Sequence, residues 1–240
     1  MALAAFQFKK FEVAQQGAAH PVGTDAVLLG AWADVAGVSR FLDIGTGTGV
    51  VALMAAQRLA ANTAHWEGYG VDIHPASIAL ARQNFEKSAW AAHLKGVESP
   101  VQQLKGPLPA SFDLILSNPP FFSETTTSPD KTRSLGRHTA SLTPQELLTA
   151  ALTWLHPQGR FCVVLPAQEG YRLCELAVPM GLYWTKIVEV HSKPEKPLER
   201  LLIQLESTPY PISRERVCLQ EGAQRSEWFR NLTADFYLAG

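Results

Sequence analysis

Residues 40–60 read RFLDIGTGTGVVALMAAQRLA, and the reading of this stretch decides the fold. The apolar run 40–44 suits a buried strand, and 50–59 suits the helix that follows it. Between them, Gly45, Gly47 and Gly49 allow a tight backbone turn with a ligand pressed against it. The spacing is GxGxG, which departs from the GxGxxG dinucleotide fingerprint. A strand-to-helix turn without a ligand is the alternative, but three alternating glycines exceed what a turn needs. Asp43 stands just ahead of the loop, where a carboxylate can orient the loop amides or favour a cationic ligand. Asp72 ends the next apolar segment, WEGYGVD, at the distance where an acidic side chain grips ribose hydroxyls in such folds. Its other reading is a neighbour of the next helix cap.

From residue 40 onward, strand-like and helix-like segments alternate, the pattern of a parallel sheet covered by helices on both faces. A helix opens at Pro75, a weaker strand runs over 94–97, and a further strand ends at LSNPPF, 116–121. Thr143-Pro144-Gln145-Glu146 is a capping box that opens a helix to about Leu155, closed by Pro157 and Gly159. RFCVVL (160–165), a helix near 168–180, YWTKIVEVH (183–191) and ERLLIQLE (199–206) complete the series. The last two are joined by a short turn, 192–197, and predict an antiparallel hairpin at one edge. The expected architecture is α/β and Rossmann-like, with a seven-stranded, mostly parallel sheet and helices on both faces.

The 240 residues, 46% hydrophobic and 18% charged, can bury a sizeable core. The first residues lack the order and length of a secretory signal, and no run approaches a membrane span. Cys162, Cys174 and Cys218 lie far apart, without CxxC spacing, so neither a zinc site nor a disulfide framework is suggested. Buried thiols in a reducing cytoplasm are expected. The net charge of -1 means that a polyanionic partner must be met by local basic patches. His20, His74, His138 and His191 form no triad pattern with a serine elbow, which argues against hydrolase chemistry.

In LSNPPF, Pro119 and Pro120 cannot continue a hydrogen-bonded ladder, so the chain must leave the sheet there. Taken with the glycine loop, this segment resembles the class I S-adenosylmethionine-dependent methyltransferases. LDIGTGTG looks like their cofactor loop, and NPPF looks like their amino-methylating motif. An exocyclic adenine amine or a glutamine amide has a delocalised lone pair and is a poor nucleophile. If the Asn118 side-chain oxygen and the Pro119 carbonyl each accept one N–H, that lone pair is drawn out of conjugation and aimed at the methyl group. Pro119 and Pro120 stiffen the loop, and Phe121 can stack on a flat substrate. An Asn-Pro turn that merely ends a strand is the alternative.

FQFKKFEVAQ (6–15), VGTDAVLLGAW (22–32) and FYL (236–238), together with those two motifs, resemble the bacterial tRNA-Val adenine-N6 methyltransferases across nearly the whole chain. These modify the adenine just 3′ of the anticodon, adenine 37. The resemblance implies one domain over 1–240 whose N-terminal extension, 1–39, covers the S-adenosylmethionine site. It implies cofactor contacts from Thr24, Asp43, Gly45, Gly47, Gly49, Asp72, Ser99 and Asn118, with Asn118 to Phe121 holding the target base. Thr24 and Asp25 as a plain helix N-cap is an equal alternative. Many relatives have lysine where Pro21 stands, and an acidic contact to the cofactor adenine where Ser99-Pro100 stand.

Lys131, Arg133, Arg137 and His138 follow the NPPF motif and are the favoured contacts to tRNA. Lys193, Lys196 and Arg200 frame the hairpin, and Lys9 and Lys10, interleaved with Phe6, Phe8 and Phe11, form a third cluster. The expected protein is a monomeric, cytoplasmic enzyme without a metal or a membrane partner. An rRNA base methyltransferase, a release-factor glutamine methyltransferase and a non-catalytic RNA-binding module with the same fold are the competing readings. The glutamine enzymes carry a separate N-terminal helical domain, for which 39 residues are too few.

Overall fold

The computed structural model describes residues 4–105, 110–120 and 142–238. A short antiparallel pair, β1 (Phe6–Gln7) and β2 (Glu12–Val13), precedes α1 (Thr24–Trp32). The alternating series follows as β3 (Arg40–Ile44), α2 (Val50–Ala60), β4 (Glu67–Asp72), α3 (Pro75–Lys87), β5 (Leu94–Glu98) and β6 (Phe112–Ser117). Next come α4 (Pro144–Trp154), β7 (Leu155–Pro166), α5 (Ala167–Ala177), β8 (Tyr183–His191), β9 (Leu198–Glu206) and β10 (Ser213–Cys218). A small ribbon, β11 (Gln220–Glu221) and β12 (Gln224–Arg225), leads into α6 (Glu227–Thr233).

The main sheet has the order β10-β8-β9-β7-β6-β3-β4-β5, and β9 alone runs against the rest. It has one strand more than the seven expected. The addition is β10, parallel to β8 at the far edge, so the β8–β9 hairpin is covered on its outer side. Four of its six residues are exposed and only Val217 joins the core, so it carries little of the apolar signal by which strands are read.

Alternation along the central strands builds two cores, one on each face. Phe41, Leu114 and Leu116 pack beneath α1, α2, α3 and α6, whereas Leu42, Ile44 and Ile115 pack beneath α4 and α5. Each of these side chains is buried, and full burial stabilises by about 1.5–3 kcal/mol per large apolar residue. The capping box forms as read: Thr143 Oγ1 accepts from the Glu146 amide while the Glu146 carboxylate accepts from the Thr143 amide. That helix ends at Trp154, because Leu155 already pairs with Phe112 in the sheet.

The two chain ends are joined. Lys9 N–H donates to Phe236 O at 2.8 Å, and Lys9 Nζ donates to Ala234 O at 2.6 Å. Phe6 and Phe8 pack against Tyr237, and Phe11 meets Trp90 edge-on. The aromatic residues of the third basic cluster are therefore packing groups, and Lys9 serves as a clasp. Asn84 of α3 ties this N-terminal segment to the glycine loop: its Oδ1 accepts from Ala14 N–H, and its Nδ2 donates to Ala14 O and Thr48 O. Cys162 and Cys174 are buried, and burial pushes both thiols up to about 12, while Cys218 is half-buried.

Replacing Asn84 by alanine strands three backbone groups at a buried position. Denaturant unfolding is expected to show a loss of about 2–4 kcal/mol, with faster proteolysis before residue 20; an unchanged midpoint would refute the role of Asn84 as a tie.

Candidate active site

Strand register brings the sequence-identified segments into one row. Ile44 of β3 pairs with Ser117 of β6, and Ser117 Oγ donates to Ile44 O at 2.9 Å. Gly45 and Asn118 therefore leave the sheet side by side, about one strand spacing of 4.8 Å apart. On the other side, Ile44 pairs with Val71, so Asp72 leaves next to the same glycine. Asp72 pairs in turn with Glu98, and Ser99 N–H donates to Asp72 O at 3.1 Å. Asn118, the glycine loop, Asp72 and Ser99 thus lie in sequence along the carboxyl ends of four neighbouring parallel strands, where open α/β sheets hold ligands.

The three glycines have different tasks. Gly45 and Gly47 adopt φ of 72° and 55°, and a Cβ on either would meet nothing closer than 4.0 Å, so they border open space. Gly49 has φ of 81°, but a Cβ there would lie 2.5 Å from Phe85 Cε1. Its job is close packing of the loop on α3. Gly70 is the glycine that sequence reading missed, since a Cβ there would collide with Thr46 Oγ1 at 2.7 Å.

Carboxylates shape the loop from two sides. Asp72 Oδ2 accepts from Gly47 N–H at 3.0 Å and its Oδ1 accepts from His74 N–H at 2.9 Å, so one side chain links the loop to the start of α3. Asp43 is 1% exposed and accepts from Thr46 Oγ1 at 2.6 Å. It holds the turn from beneath. Burial raises its pKa to about 7, against the lowering effect of bonds from Thr46 and the Ala52 backbone, while the charge of Asp72 adds to the rise.

The N-terminal helix opens at Thr24, as expected, but neither Thr24 nor Asp25 is its N-cap. Gly23 is the N-cap, Thr24 is the first helical residue, and no side chain caps the turn. Asp25 instead accepts from Arg200 Nε at 2.8 Å, joining α1 to the start of β9 at the same sheet edge. Arg200 is thereby engaged within the protein. Asn118 is half-buried, Pro119 is buried and Pro120 is exposed. Phe121, Lys131, Arg133, Arg137 and His138 lie outside the described residues. Ser99 Oγ is occupied by Pro100 O, and the acidic side chain at this strand end is Glu98, one residue earlier.

Among the described residues, no group of three His, Cys, Asp or Glu side chains could hold a metal ion. No helix among them is long and apolar enough to cross a membrane.

Residues 23–178 match the model of the methyltransferase small domain. The chain belongs to that family. Full-length relatives carry the name tRNA1(Val) (adenine(37)-N6)-methyltransferase. That of Trichodesmium erythraeum is 36% identical over 97% of each chain. That of Tolumonas auensis is 37% identical over 97% of this chain and 96% of its own. Among solved structures, a predicted O-methyltransferase from Agrobacterium tumefaciens matches with a TM-score of 0.66 at 18% identity, covering 88% of this chain and 96% of that one. A restriction-modification methyltransferase subunit from Streptococcus thermophilus matches with a TM-score of 0.54 at 18% identity, covering 80% and 45%. Both likenesses concern the fold, and they agree with the strand series observed in this family member.

The raised pKa of Asp43 couples folding to pH. The folded state keeps a proton that the unfolded chain loses near 3.8, so this group's contribution to stability is full below that value and is lost as pH rises through about 7. Asp43→Asn removes the titration. The stability of the wild type relative to this variant is expected to fall by about 3–4 kcal/mol between pH 4 and 8, read by urea denaturation at each pH; parallel profiles would contradict it.

Proposed function

We propose that this protein transfers a methyl group from S-adenosylmethionine to the exocyclic N6 amine of adenine 37 in tRNA(Val), the activity named for its full-length relatives. The observation that carries the reading is the pairing of Ile44 with Ser117, which sets the glycine loop beside Asn118-Pro119. The open backbone at Gly45 and Gly47 fits the cofactor, because no side chain fills the concave side of the loop. When bound, S-adenosylmethionine supplies an electrophilic methyl group on a sulfonium sulfur.

The residues of the chain then have separable roles. Gly45 and Gly47 admit the cofactor, Asp72 fixes the loop through Gly47 N–H and faces the ribose, and Asp43 holds the turn rigid. Thr24 and Ser99 border the same site. Asn118 Oδ1 and the Pro119 carbonyl each accept one N–H of the target amine, which turns its lone pair out of the ring and towards the methyl carbon. The nitrogen so aimed would accept the methyl group that the bound cofactor supplies, and its surplus proton would leave to water. Phe121 stacks on the extruded base.

Residues 1–39 form a wall of this site within a single domain spanning 1–240, and the fastening of Ala14 and Thr48 by Asn84 supports that role. The enzyme acts as a cytoplasmic monomer. Lys131, Arg133, Arg137 and His138 hold the RNA backbone next to the target nucleotide, assisted by Lys193 and Lys196.

The first test is methyl-labelled S-adenosylmethionine with unmodified total tRNA, in parallel with rRNA and release-factor reactions, followed by chromatography of digests. Label in N6-methyladenosine from valine tRNA is expected; label in rRNA or in glutamine would discard the substrate. Asn118→Ala should lower the methylation rate by about 10²-fold or more while the melting temperature stays unchanged. Charge reversal at Lys131, Arg133 and Arg137 should weaken tRNA binding alone, and an equal loss of cofactor affinity in calorimetry would count against it.

A further inference from the structure

A second groove opens on the same sheet edge, away from the methyl-transfer site. It encloses about 510 Å³ and is lined by His191 and Pro194 at the end of β8, Glu215 and Arg216 of β10, Glu221 of the ribbon and Trp228 of α6. Strands β6, β7, β8 and β10 all run the same way, so His191 and Cys218 end at the edge where Asn118 lies. Three strand spacings separate β8 from β6, roughly 14 Å. This is about the length of four stacked nucleotides.

The groove is built around one oriented arginine. Arg216 Nε donates to His191 Nε2 at 3.1 Å, so the ring proton of His191 resides on Nδ1, which donates to Lys196 O at 2.8 Å. His191 is 6% exposed and thus anchors both the guanidinium and the β8–β9 turn. The two terminal nitrogens of Arg216 have no partner among the described residues, although the residue is exposed at the groove. A guanidinium held by Nε with its terminal amino groups facing outward matches the oxygens of a phosphodiester. Lys193 and Lys196 lie in the turn that His191 secures, and neither ammonium is paired with a carboxylate among the described residues. Trp228 offers a half-buried indole, and the carboxylates of Glu215 and Glu221 join the lining, where the amino group of a base can donate to them.

We infer that this groove binds the single-stranded RNA flanking the target nucleotide, with a phosphate on Arg216, Lys193 and Lys196 and a base against Trp228. The inference rests on tRNA being the substrate. It adds a contact zone at least three strands away from Asn118 across the sheet, so tRNA is recognised in part by nucleotides that undergo no chemistry. Arg216 and His191 act there as binding and positioning residues, without touching the reacting atoms.

The test measures tRNA affinity against salt concentration for the full chain, with wild type, Arg216→Ala, Arg216→Lys and the double variant Lys193→Ala/Lys196→Ala. Arg216→Ala is expected to weaken tRNA binding about tenfold and to flatten the salt slope by about 0.7–0.9, the loss of one phosphate contact. Arg216→Lys should keep the slope and recover part of the affinity, since charge survives but the fork does not. The KM for tRNA should rise while kcat and cofactor affinity stay at wild-type values. Wild-type affinity and slope in Arg216→Ala and in the double variant, with methylation by the wild type intact, would overturn this inference alone. A parallel fall in cofactor affinity would also overturn it, because Arg216 would then be supporting the fold. Absence of tRNA binding by the wild-type protein would overturn both this inference and the substrate reading.

Discussion

The pairing of Ile44 with Ser117 is the constraint on which the site depends. It makes β3 and β6 neighbours at the point where the parallel strand order reverses, with β4 and β5 on one side and β7 on the other. The loop after β3 and the loop after β6 must then part from a common edge, and a crevice opens between them. Ser117 Oγ strengthens the arrangement by donating to Ile44 O, where the buried side chain would otherwise lack a partner. A slip of one residue would turn Leu114 and Leu116 from one core to the other and move Asn118 away from Gly45. Core packing and site geometry are thus held by the same register.

Around that register, buried polar groups do work that hydrophobic packing cannot. Asp43, Thr46 and Asp72 set the conformation of the glycine loop, and Asn84 passes that conformation on to the N-terminal segment. The cost of burying Asp43 as a carboxylate appears as its raised pKa. At the other end of the edge, Asp25 and Arg200 join α1 to β9, and His191 joins the hairpin turn to β10. The carboxyl edge is therefore braced at both ends by side chains distant in sequence.

Most of the scaffold was legible because buried strands leave short apolar runs or apolar–polar alternation in the sequence. The runs at 112–117, 183–191 and 199–206 all became strands, the last beginning at Leu198. β10 was not legible: an exposed edge strand reading SRERVC has the composition of a loop. The helix expected near 168–180 ends at Ala177 and continues as a 3-10 turn, since Pro179 cannot donate to the preceding turn. The basic clusters were legible only as charges. Their partners, Ala234 O for Lys9 and Asp25 for Arg200, come from segments far along the chain.

By itself, the sequence determined the α/β class, the glycine turn between β3 and α2 and the point where Pro119 and Pro120 take the chain out of the sheet, because each rests on local backbone chemistry. Tertiary structure decided which glycines border open space and which pack: Gly45 and Gly47 stand open, while Gly49 and Gly70 lie against Phe85 and Thr46. It also decided that Asp43 acts from beneath the loop and that Arg216 is aimed by His191. The physical reason is the same in each case. A residue's chemistry is written in its side chain, but its direction and its solvation are set by neighbours that only the folded chain supplies.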